Sequence, residues 1–284
     1  MIDTAPRSDA EASSGQGRLK ARVVSAAAMI AVALTAAVLG GWGFTALIVA
    51  IGLLMVWEWG RMVRGTTWDL AMIIHGATHV VTCVLVTFAW PTAGLICLCL
   101  GALAMAICVS RNTLWISTVG VIVIGLAGAT LIWLRNADDL GLLAVLFILG
   151  AVWITDTFAM VIGKAVGGPL LFPSVSPRKT WAGAIGGLLA AGLGGAFFVS
   201  MLTEGGWLHG LLIACVLSCA AQIGDLLESA VKRSYSVKNT SELIPGHGGV
   251  LDRMDGLIGA TLVAAPLAVA LSWSQPVRGL LLGE

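Results

Sequence analysis

Charged residues are scarce in this chain. Asp, Glu, Lys and Arg together make up 11% of its 284 residues, whereas hydrophobic residues make up 58%. Ordinary soluble domains carry about 25% charged residues, so a water-soluble fold of this length could not cover its surface. The composition therefore excludes a soluble enzyme, a disordered chain and a coiled coil. It predicts a membrane protein with many spanning helices.

A strong net charge is also absent, because the formal net charge is only +1. The chain therefore lacks the basic field that gathers nucleic acid. Its six cysteines all lie in apolar runs, and none of them forms a Cys-x-x-Cys pair. This pattern gives no sign of a disulfide framework, and it predicts that the cysteines are small apolar fillers.

Long apolar runs, in contrast, are abundant. A spanning helix needs about 20 mostly apolar residues, and nine segments fit that length: 22–41, 43–60, 69–90, 93–109, 114–134, 140–163, 182–202, 207–231 and 255–273. The predicted fold is an all-α polytopic membrane protein. It has a flexible cytoplasmic tail (1–21), N-terminal transmembrane helices (22–139, five spans) and a C-terminal transmembrane region (140–284) that carries the candidate site.

The distribution of Lys and Arg predicts the orientation. With nine spans and a cytoplasmic N-terminus, all of the 16 Lys and Arg residues except Arg135 and Arg278 fall on the cytoplasmic side. Cytoplasmic loops of membrane proteins carry such an excess of positive residues. The connections 164–181 and 232–253 lie on this side and are long, without helical periodicity. Long connections on one side of a membrane are where chemistry is expected.

An acidic helix face is predicted at the end of the eighth span. Asp225, Glu228, Ser229 and Lys232 are spaced three or four residues apart, which places them on one side of a helix. An acidic residue in an apolar span costs a few kcal/mol and is a functional candidate for that reason. The alternative is an interfacial helix end at which Glu228 pairs with Lys232.

The loop before the ninth span combines a Gly-rich turn with carboxylates. His247 lies among three glycines, which permit close approach of backbone amides to an anion. Asp252 and Asp255 follow at the start of the helix, where they could cap it and complement its dipole. If they face Asp225 across a helix pair, the same carboxylates also suit Mg²⁺, which prefers oxygen ligands.

Three further polar features lie outside these two clusters. Arg178 and Lys179 lie at a cytoplasmic loop end, where a phosphate needs counter-charge, although positive-inside topology alone requires cations there. Asp156 is a further carboxylate within the sixth span. His75 and His79 share a face of the third span, and we expect them to make helix–helix hydrogen bonds rather than to bind a metal. A stripe of small residues on the seventh span predicts a close-packing face: Gly183, Gly187, Ala191 and Gly195.

The segment from Ser229 to Asp255 resembles the signature of the phosphatidate cytidylyltransferases, also called CDP-diacylglycerol synthases. That signature runs Ser-x-x-Lys-Arg, Lys-Asp and His-Gly-Gly-x-x-Asp-Arg-x-Asp. The chain has Ser-Ala-Val-Lys-Arg, Lys-Asn and His-Gly-Gly-Val-Leu-Asp-Arg-Met-Asp in the same order. The segment 156–183, which ends Ser-Pro-Arg-Lys-Thr-Trp-Ala-Gly, is similar to the second conserved region of that family. The first five spans match only in being hydrophobic.

Three positions depart from the family pattern. Arg178, Ala182 and Asn239 stand where the family usually has Lys, Glu and Asp. The change at Asn239 puts a metal or catalytic role at that position in doubt. The change at Ala182 removes a carboxylate that the family has available as a ligand.

The resemblance implies an enzyme that transfers the cytidylyl group from CTP to phosphatidic acid, giving CDP-diacylglycerol and pyrophosphate for phospholipid biosynthesis. It implies Mg²⁺ held by Asp225 and Asp252, with room for a second cation such as K⁺. The catalytic residues implied are Asp225, Asp252, Asp255, Lys179 and His247. The residues implied to bind or orient substrate phosphates are Ser176, Arg178, Lys179, Ser229, Lys232, Arg233, Lys238, Gly248, Gly249 and Arg253.

The same resemblance implies a multi-pass protein of the inner cell membrane with its site facing the cytoplasm. CTP, phosphatidic acid and the lipid bilayer are the expected partners, and a homodimer fits the family. Two other functions stay open at this point: a CTP-dependent lipid kinase, and an ion-coupled transporter that uses Asp156 and Asp225. The sequence shows none of the internal repeats that many transporters carry.

Overall fold

The computed structural model describes residues 9–66, 68–244 and 248–284, with side chains from residue 23 onward. These residues form ten helices: α1 (Asp9–Leu39), α2 (Gly41–Arg64), α3 (Leu70–Thr87), α4 (Pro91–Cys108), α5 (Leu114–Asn136), α6 (Gly141–Val166), α7 (Trp181–Leu202), α8 (Trp207–Ser234), α9 (Leu251–Leu271) and α10 (Pro276–Leu282). A hairpin of two antiparallel strands, β1 (Leu170–Phe172) and β2 (Ser176–Thr180), lies between α6 and α7.

Eight helices, α2 to α9, are long and apolar enough to cross a membrane. They confirm the prediction of an all-α polytopic membrane protein. The first predicted span differs, because the apolar part of α1, Val23–Leu39, has 17 residues, whereas each of the other eight helices has 18 or more. Whether α1 crosses the membrane therefore stays a prediction.

Two predicted irregular segments have regular structure. Helix α1 begins at Asp9, so much of the predicted flexible tail (1–21) is helical, and residues 1–8 lie outside the described residues. Ala, Glu, Gln, Arg and Lys in this stretch are helix formers, which lets the apolar helix extend backwards. The connection 164–181 contains the hairpin, whose strands of 3 and 5 residues are too short to give a periodic signal.

Local signals set the ends of several spans. Helix α2 ends at Arg64 and is capped by Gly65, whose φ of 70° is a left-handed conformation that glycine adopts without strain. Asp69 caps α3 by accepting a hydrogen bond from the Met72 amide at 2.7 Å. Pro91 opens α4, where its missing N–H is not needed. Each of these residues stops or starts a helix close to the end of an apolar run.

Exposed tryptophans form two bands at opposite ends of the bundle. Because successive helices run in opposite directions, Trp42, Trp90, Trp207 and Trp273 lie at one end, and Trp68, Trp115 and Trp181 lie at the other. Tryptophan is enriched where a membrane meets water, because its ring is apolar and its N–H is polar. The two bands therefore mark the levels at which the bundle meets the two membrane surfaces.

The small residues of α7 pack closely against the neighbouring helices. A Cβ atom added at Gly183 would lie 2.6 Å from the Ala159 carbonyl oxygen of α6, and one at Gly187 would lie 2.7 Å from the Thr155 oxygen. Together with Ala191 and Gly195, both glycines are buried. The predicted close-packing stripe is confirmed. His79, whose ring lies 3.4 Å from the Ile48 oxygen of α2, likewise links helices as expected.

The N-terminal helices contact the start of α9 directly. One hydrophobic cluster joins Met55 and Trp59 of α2 and Ile124 of α5 to Leu251 and Ile258 of α9. All five side chains are less than a tenth exposed. The end of the bundle that carries the candidate site is therefore built from both halves of the chain.

Candidate active site

An ion pair joins the hairpin to α8. Lys179 Nζ lies 2.5 Å from Asp225 Oδ2, and Ser229 Oγ donates a hydrogen bond of 3.4 Å to Asp225 Oδ1. Thr180 fixes the end of β2, because its side chain caps α7 by accepting a hydrogen bond from the Gly183 amide at 3.1 Å. The lysine and aspartate side chains are 28% and 30% exposed, so the pair is accessible to a ligand. Two predicted site residues from separate segments are thus in direct contact.

A second ion-pair network lies deeper, between α8 and α9. Lys232 Nζ is 2.5 Å from Glu228 Oε2 and 2.7 Å from Asp252 Oδ1. All three side chains are less than a tenth exposed. The Glu228–Lys232 pair that the sequence offered as an alternative is confirmed. Its extension to Asp252 links the acidic helix face to the signature aspartate of α9.

Asp252 also organises the loop in front of α9. Its Oδ2 accepts hydrogen bonds from the Thr240 amide at 3.0 Å and from the Gly249 amide at 2.8 Å. Gly248 has a φ of 89° and its amide donates to the Ile244 oxygen at 3.2 Å. The two amides that were expected to orient phosphate oxygens are therefore bonded within the loop. His247, the remaining part of this motif, lies outside the described residues.

Close approach of α8 and α9 brings further carboxyls together. A Cβ atom at Gly224 would lie 2.6 Å from the Asp255 carbonyl oxygen and 2.9 Å from Gly259 Cα, so the two backbones nearly touch there. The Asp255 carboxyl lies within electrostatic range of Asp225, Glu228 and Asp156. The structure therefore gathers the carboxyls of α6, α8 and α9 into one region.

The close approach at Gly224 gives a direct test of this packing. We expect Gly224→Ala to lower the free energy of unfolding by about 1–3 kcal/mol, because backbone atoms of α9 cannot yield to the added methyl group. Gly150→Ala on α6 is the matched control, since a Cβ atom there has nothing within 4 Å. Thermal unfolding in detergent measures both variants. Equal melting temperatures would contradict the tight contact between α8 and α9.

The remaining predicted residues lie around these groups. Arg233 donates to the Val175 oxygen at 3.4 Å and to the Val237 oxygen at 3.0 Å, which ties the end of α8 to the hairpin turn. Arg253 lies within electrostatic range of Asp156. The other predicted phosphate-binding residues are half-buried or exposed at the same end of the bundle: Ser176, Arg178 and Lys238.

The chemistry of this donor set fits a divalent cation. Within the described ranges, no three His, Cys, Asp or Glu side chains are already close enough together to hold one metal ion. Asp156, Asp225 and Glu228 nevertheless lie within electrostatic range of Asp255, and Glu228 shares Lys232 with Asp252. Lys179 and Arg253 are the other cations near these carboxyls. An excess of partly buried negative charge is unfavourable unless a further cation accompanies it. Oxygen-rich surroundings of this kind suit Mg²⁺.

Sequence reasoning overlooked one buried residue, Glu58 of α2. It is 0% exposed, and its carboxylate contacts the loop that precedes α9. Glu58 is the only Asp or Glu within the helices α2 to α5. The rarity of an acidic residue in an apolar span was the signal that could have revealed it.

Comparison with known proteins agrees with this architecture. A family model described as the cytidylyltransferase family matches residues 20–271. A phosphatidate cytidylyltransferase of Brucella abortus biovar 1 (strain 9-941) is 37% identical over 249 residues, which cover 85% of this chain and 90% of the relative. Those of Rickettsia bellii (strain RML369-C) and Bacillus subtilis (strain 168) are 38% and 39% identical over 49% and 50% of this chain, and over 63% and 53% of the relatives. The chain belongs to the cytidylyltransferase family.

Proposed function

We propose that this chain transfers the cytidylyl group from CTP to phosphatidic acid, forming CDP-diacylglycerol and releasing pyrophosphate. The observation that carries the proposal is the pairing of Lys179 with Asp225 and of Lys232 with Asp252 at one end of the bundle. Lys179, Lys232 and Asp252 lie in the two segments that resemble the phosphatidate cytidylyltransferases, 156–183 and 229–255, and Asp225 lies four residues before the second. The relative from Brucella abortus, which bears that name, aligns with most of the chain.

The reaction needs charge compensation more than it needs a strong base. A phosphate oxygen of phosphatidic acid, already ionised near neutral pH, forms a new bond to the α-phosphorus of CTP. The bond from that phosphorus to the oxygen bridging it to the β-phosphorus breaks, and the electron pair leaves with pyrophosphate. Because both reactants are anionic, positioning and positive charge supply most of the catalysis.

Two accessible cations support this proposal. Lys179 is accessible beside Asp225, and Arg253 is exposed at the start of α9. In the proposed reaction they bind the triphosphate or the lipid phosphate, while buried Lys232 holds Asp252 in place. When bound by Asp225 and Asp252, with Asp255 in support, Mg²⁺ supplies further positive charge beside the triphosphate.

We propose that the site lies at the cytoplasmic surface of the inner cell membrane. Nearly all Lys and Arg of the described loops lie at the end of the bundle that carries the site, as expected for a cytoplasmic face. CTP reaches that face from solution, and the lipid keeps its acyl chains in the bilayer. A second cation such as K⁺ and assembly as a homodimer belong to the same proposal, and both rest on the family resemblance.

Purified protein in lipid vesicles tests the reaction. With phosphatidic acid, Mg²⁺ and CTP labelled on the α-phosphate, we expect label in the lipid and an equal amount of pyrophosphate. A CTP-dependent lipid kinase would instead transfer label only from the γ-phosphate. The proposal is overturned if α-label stays in the water-soluble fraction while γ-label enters the lipid, or if neither label does.

Metal removal makes a separate prediction. A chelator in excess over the divalent cations is expected to remove essentially all transfer of α-label, because the carboxyl-rich site then has no cation to place beside the triphosphate. Adding Mg²⁺ back in excess of the chelator should restore the rate. Undiminished transfer in the chelated sample would contradict the role given to Asp225 and Asp252 as metal ligands.

A further inference from the structure

A buried carboxylate from the N-terminal half of the chain reaches the loop between α8 and α9. Glu58 accepts four hydrogen bonds there. Its Oε1 accepts from Ser241 Oγ at 2.5 Å and from the Val250 amide at 2.8 Å. Its Oε2 accepts from Thr240 Oγ1 at 3.1 Å and from the Leu251 amide at 2.7 Å. Thr240 and Ser241 after α8, and Val250 and Leu251 at the start of α9, are therefore fixed to one side chain of α2.

Glu58 serves as the N-terminal cap of α9, which has no capping side chain of its own. The residue before α9, Val250, makes no side-chain capping bond. The first amides of a helix have no partner within the helix, and a negative group near them is favourable. Glu58 supplies both oxygens to the amides of Val250 and Leu251, directly before Asp252. The first turn of α9 is thus oriented by a helix that is distant in the sequence.

Thr240 is held by two carboxylates at once. Its hydroxyl donates to Glu58, and its amide donates to Asp252 Oδ2 at 3.0 Å. Gly249 lies between the same groups. A Cβ atom on Gly249 would lie 2.6 Å from Glu58 Oε1 and would contact Thr240 Oγ1 even more closely. The second glycine of the His-Gly-Gly motif therefore makes room for the Glu58 carboxylate.

Helix packing alone does not account for an acidic residue at this position. Its neighbours on α2, Met55, Val56 and Trp59, are buried in a hydrophobic cluster. An apolar side chain would fill such surroundings without the desolvation cost of a buried carboxylate. The carboxylate is suited to one further task, which is to fix the loop and the first turn of α9.

We propose that Glu58 is a positioning residue for cytidylyl transfer: it clamps Thr240 and Ser241 to Val250 and Leu251, so that Asp252 stays aligned with Lys232. This inference rests on the proposed function. Asp252 and Lys232 are 2.7 Å apart, and a small displacement of a positioned group can greatly reduce a rate. The clamp extends the active site to α2, which lies outside the segments 156–183 and 229–255 but within the residues 20–271 that the family model matches.

Glu58→Gln tests the clamp, because it replaces one acceptor oxygen with an NH₂ group that faces donors. We expect kcat/KM for CTP to fall about 10- to 100-fold, the loss typical of groups that support ligands from behind. We also expect faster hydrogen exchange at the amides of Gly249, Val250 and Leu251. Glu58→Asp, which keeps a carboxylate, should restore part of both quantities.

Asp69→Asn is the matched control. Asp69 also caps a helix at this end of the bundle, and its carboxylate pairs with Arg64 at 2.8 Å. This variant is expected to lower the melting temperature while leaving CTP kinetics and the exchange at residues 249–251 unchanged. If Glu58→Gln behaves in the same way, Glu58 serves packing alone and the inference is overturned.

Ser241→Ala is a milder variant that keeps the test decisive if Glu58→Gln fails to fold. It removes one donor to Glu58, and the same two readouts should change in the same direction by a smaller factor. In the double variant the two effects should be less than multiplicative, because both act through one contact. Unchanged exchange in Ser241→Ala would overturn the clamp.

The two proposals fail in different ways. Absence of α-label in lipid with the wild-type protein overturns the proposed function. Unchanged exchange at residues 249–251 in the Glu58 and Ser241 variants overturns the clamp, whether or not the wild-type protein is active.

Discussion

Replacing Asp225 with Asn is expected to lower the rate of CDP-diacylglycerol formation by at least about a hundredfold, the scale of loss when one electrostatic group of an active site is removed. The carboxylate pairs with Lys179 from the hairpin and lies within range of Asp255 on α9. The amide keeps the shape of the side chain but removes the charge that a cation and Lys179 both require. Transfer of α-label from CTP to lipid in vesicles measures the effect.

Asp139→Asn provides the control for this substitution. Asp139 is exposed between α5 and α6, at the opposite end of the bundle, and undergoes the same change of charge and shape. We expect wild-type turnover for this variant, and equal membrane insertion for both. Normal turnover by the Asp225→Asn variant would show that Asp225 is not part of the active site.

The second large effect is expected at Lys232. In Lys232→Met the buried carboxyls of Glu228 and Asp252 lose their common cation. Removing one partner of a buried ion pair typically costs about 3–5 kcal/mol, because the remaining charge is left uncompensated. We therefore expect a marked fall in melting temperature together with loss of cytidylyl transfer. Thermal unfolding in detergent measures the first, and the labelled-lipid assay measures the second.

A compensating change separates charge from packing at this position. Adding Glu228→Gln to Lys232→Met removes one of the two unpaired carboxyls and should recover part of the lost stability. Activity should stay low, because Asp252 is still without its lysine. Lys238→Met, which alters an exposed lysine, should leave stability near that of the wild type. A wild-type melting temperature for Lys232→Met would contradict a buried network.

The helices of the bundle can be predicted from the sequence, because the patterns that indicate them are local. Apolar length predicts the spans α2 to α9, and the spacing of Glu228 and Lys232 predicts their contact. The hairpin cannot be predicted in this way, because its strands are too short to show an alternating pattern of apolar and polar residues. The length of the apolar part of α1 also does not determine whether this helix crosses the membrane.

The candidate site depends on contacts that no local pattern encodes. The sequence selects Lys179, Asp225, Lys232 and Asp252 as functional residues, but their pairing follows from how the helices pack. Glycines such as Gly224 permit that packing, and their role becomes visible only in three dimensions. Roles in substrate or metal binding stay predictions for all of these residues.

Glu58 cannot be identified from sequence motifs. Its hydrogen-bond partners lie more than 180 residues further along the chain. Because no spacing rule operates over that distance, only the physical cost of a lone acidic residue in an apolar span draws attention to it.

The tryptophan bands have a consequence for how the substrates meet. Trp181 follows Lys179 by two residues, so one band lies beside the candidate site and fixes its height relative to the bilayer. An enzyme held at that depth searches for its lipid by lateral diffusion within a single leaflet. Only the nucleotide has to arrive through three-dimensional diffusion, and the finished liponucleotide is released into the same plane from which its precursor came.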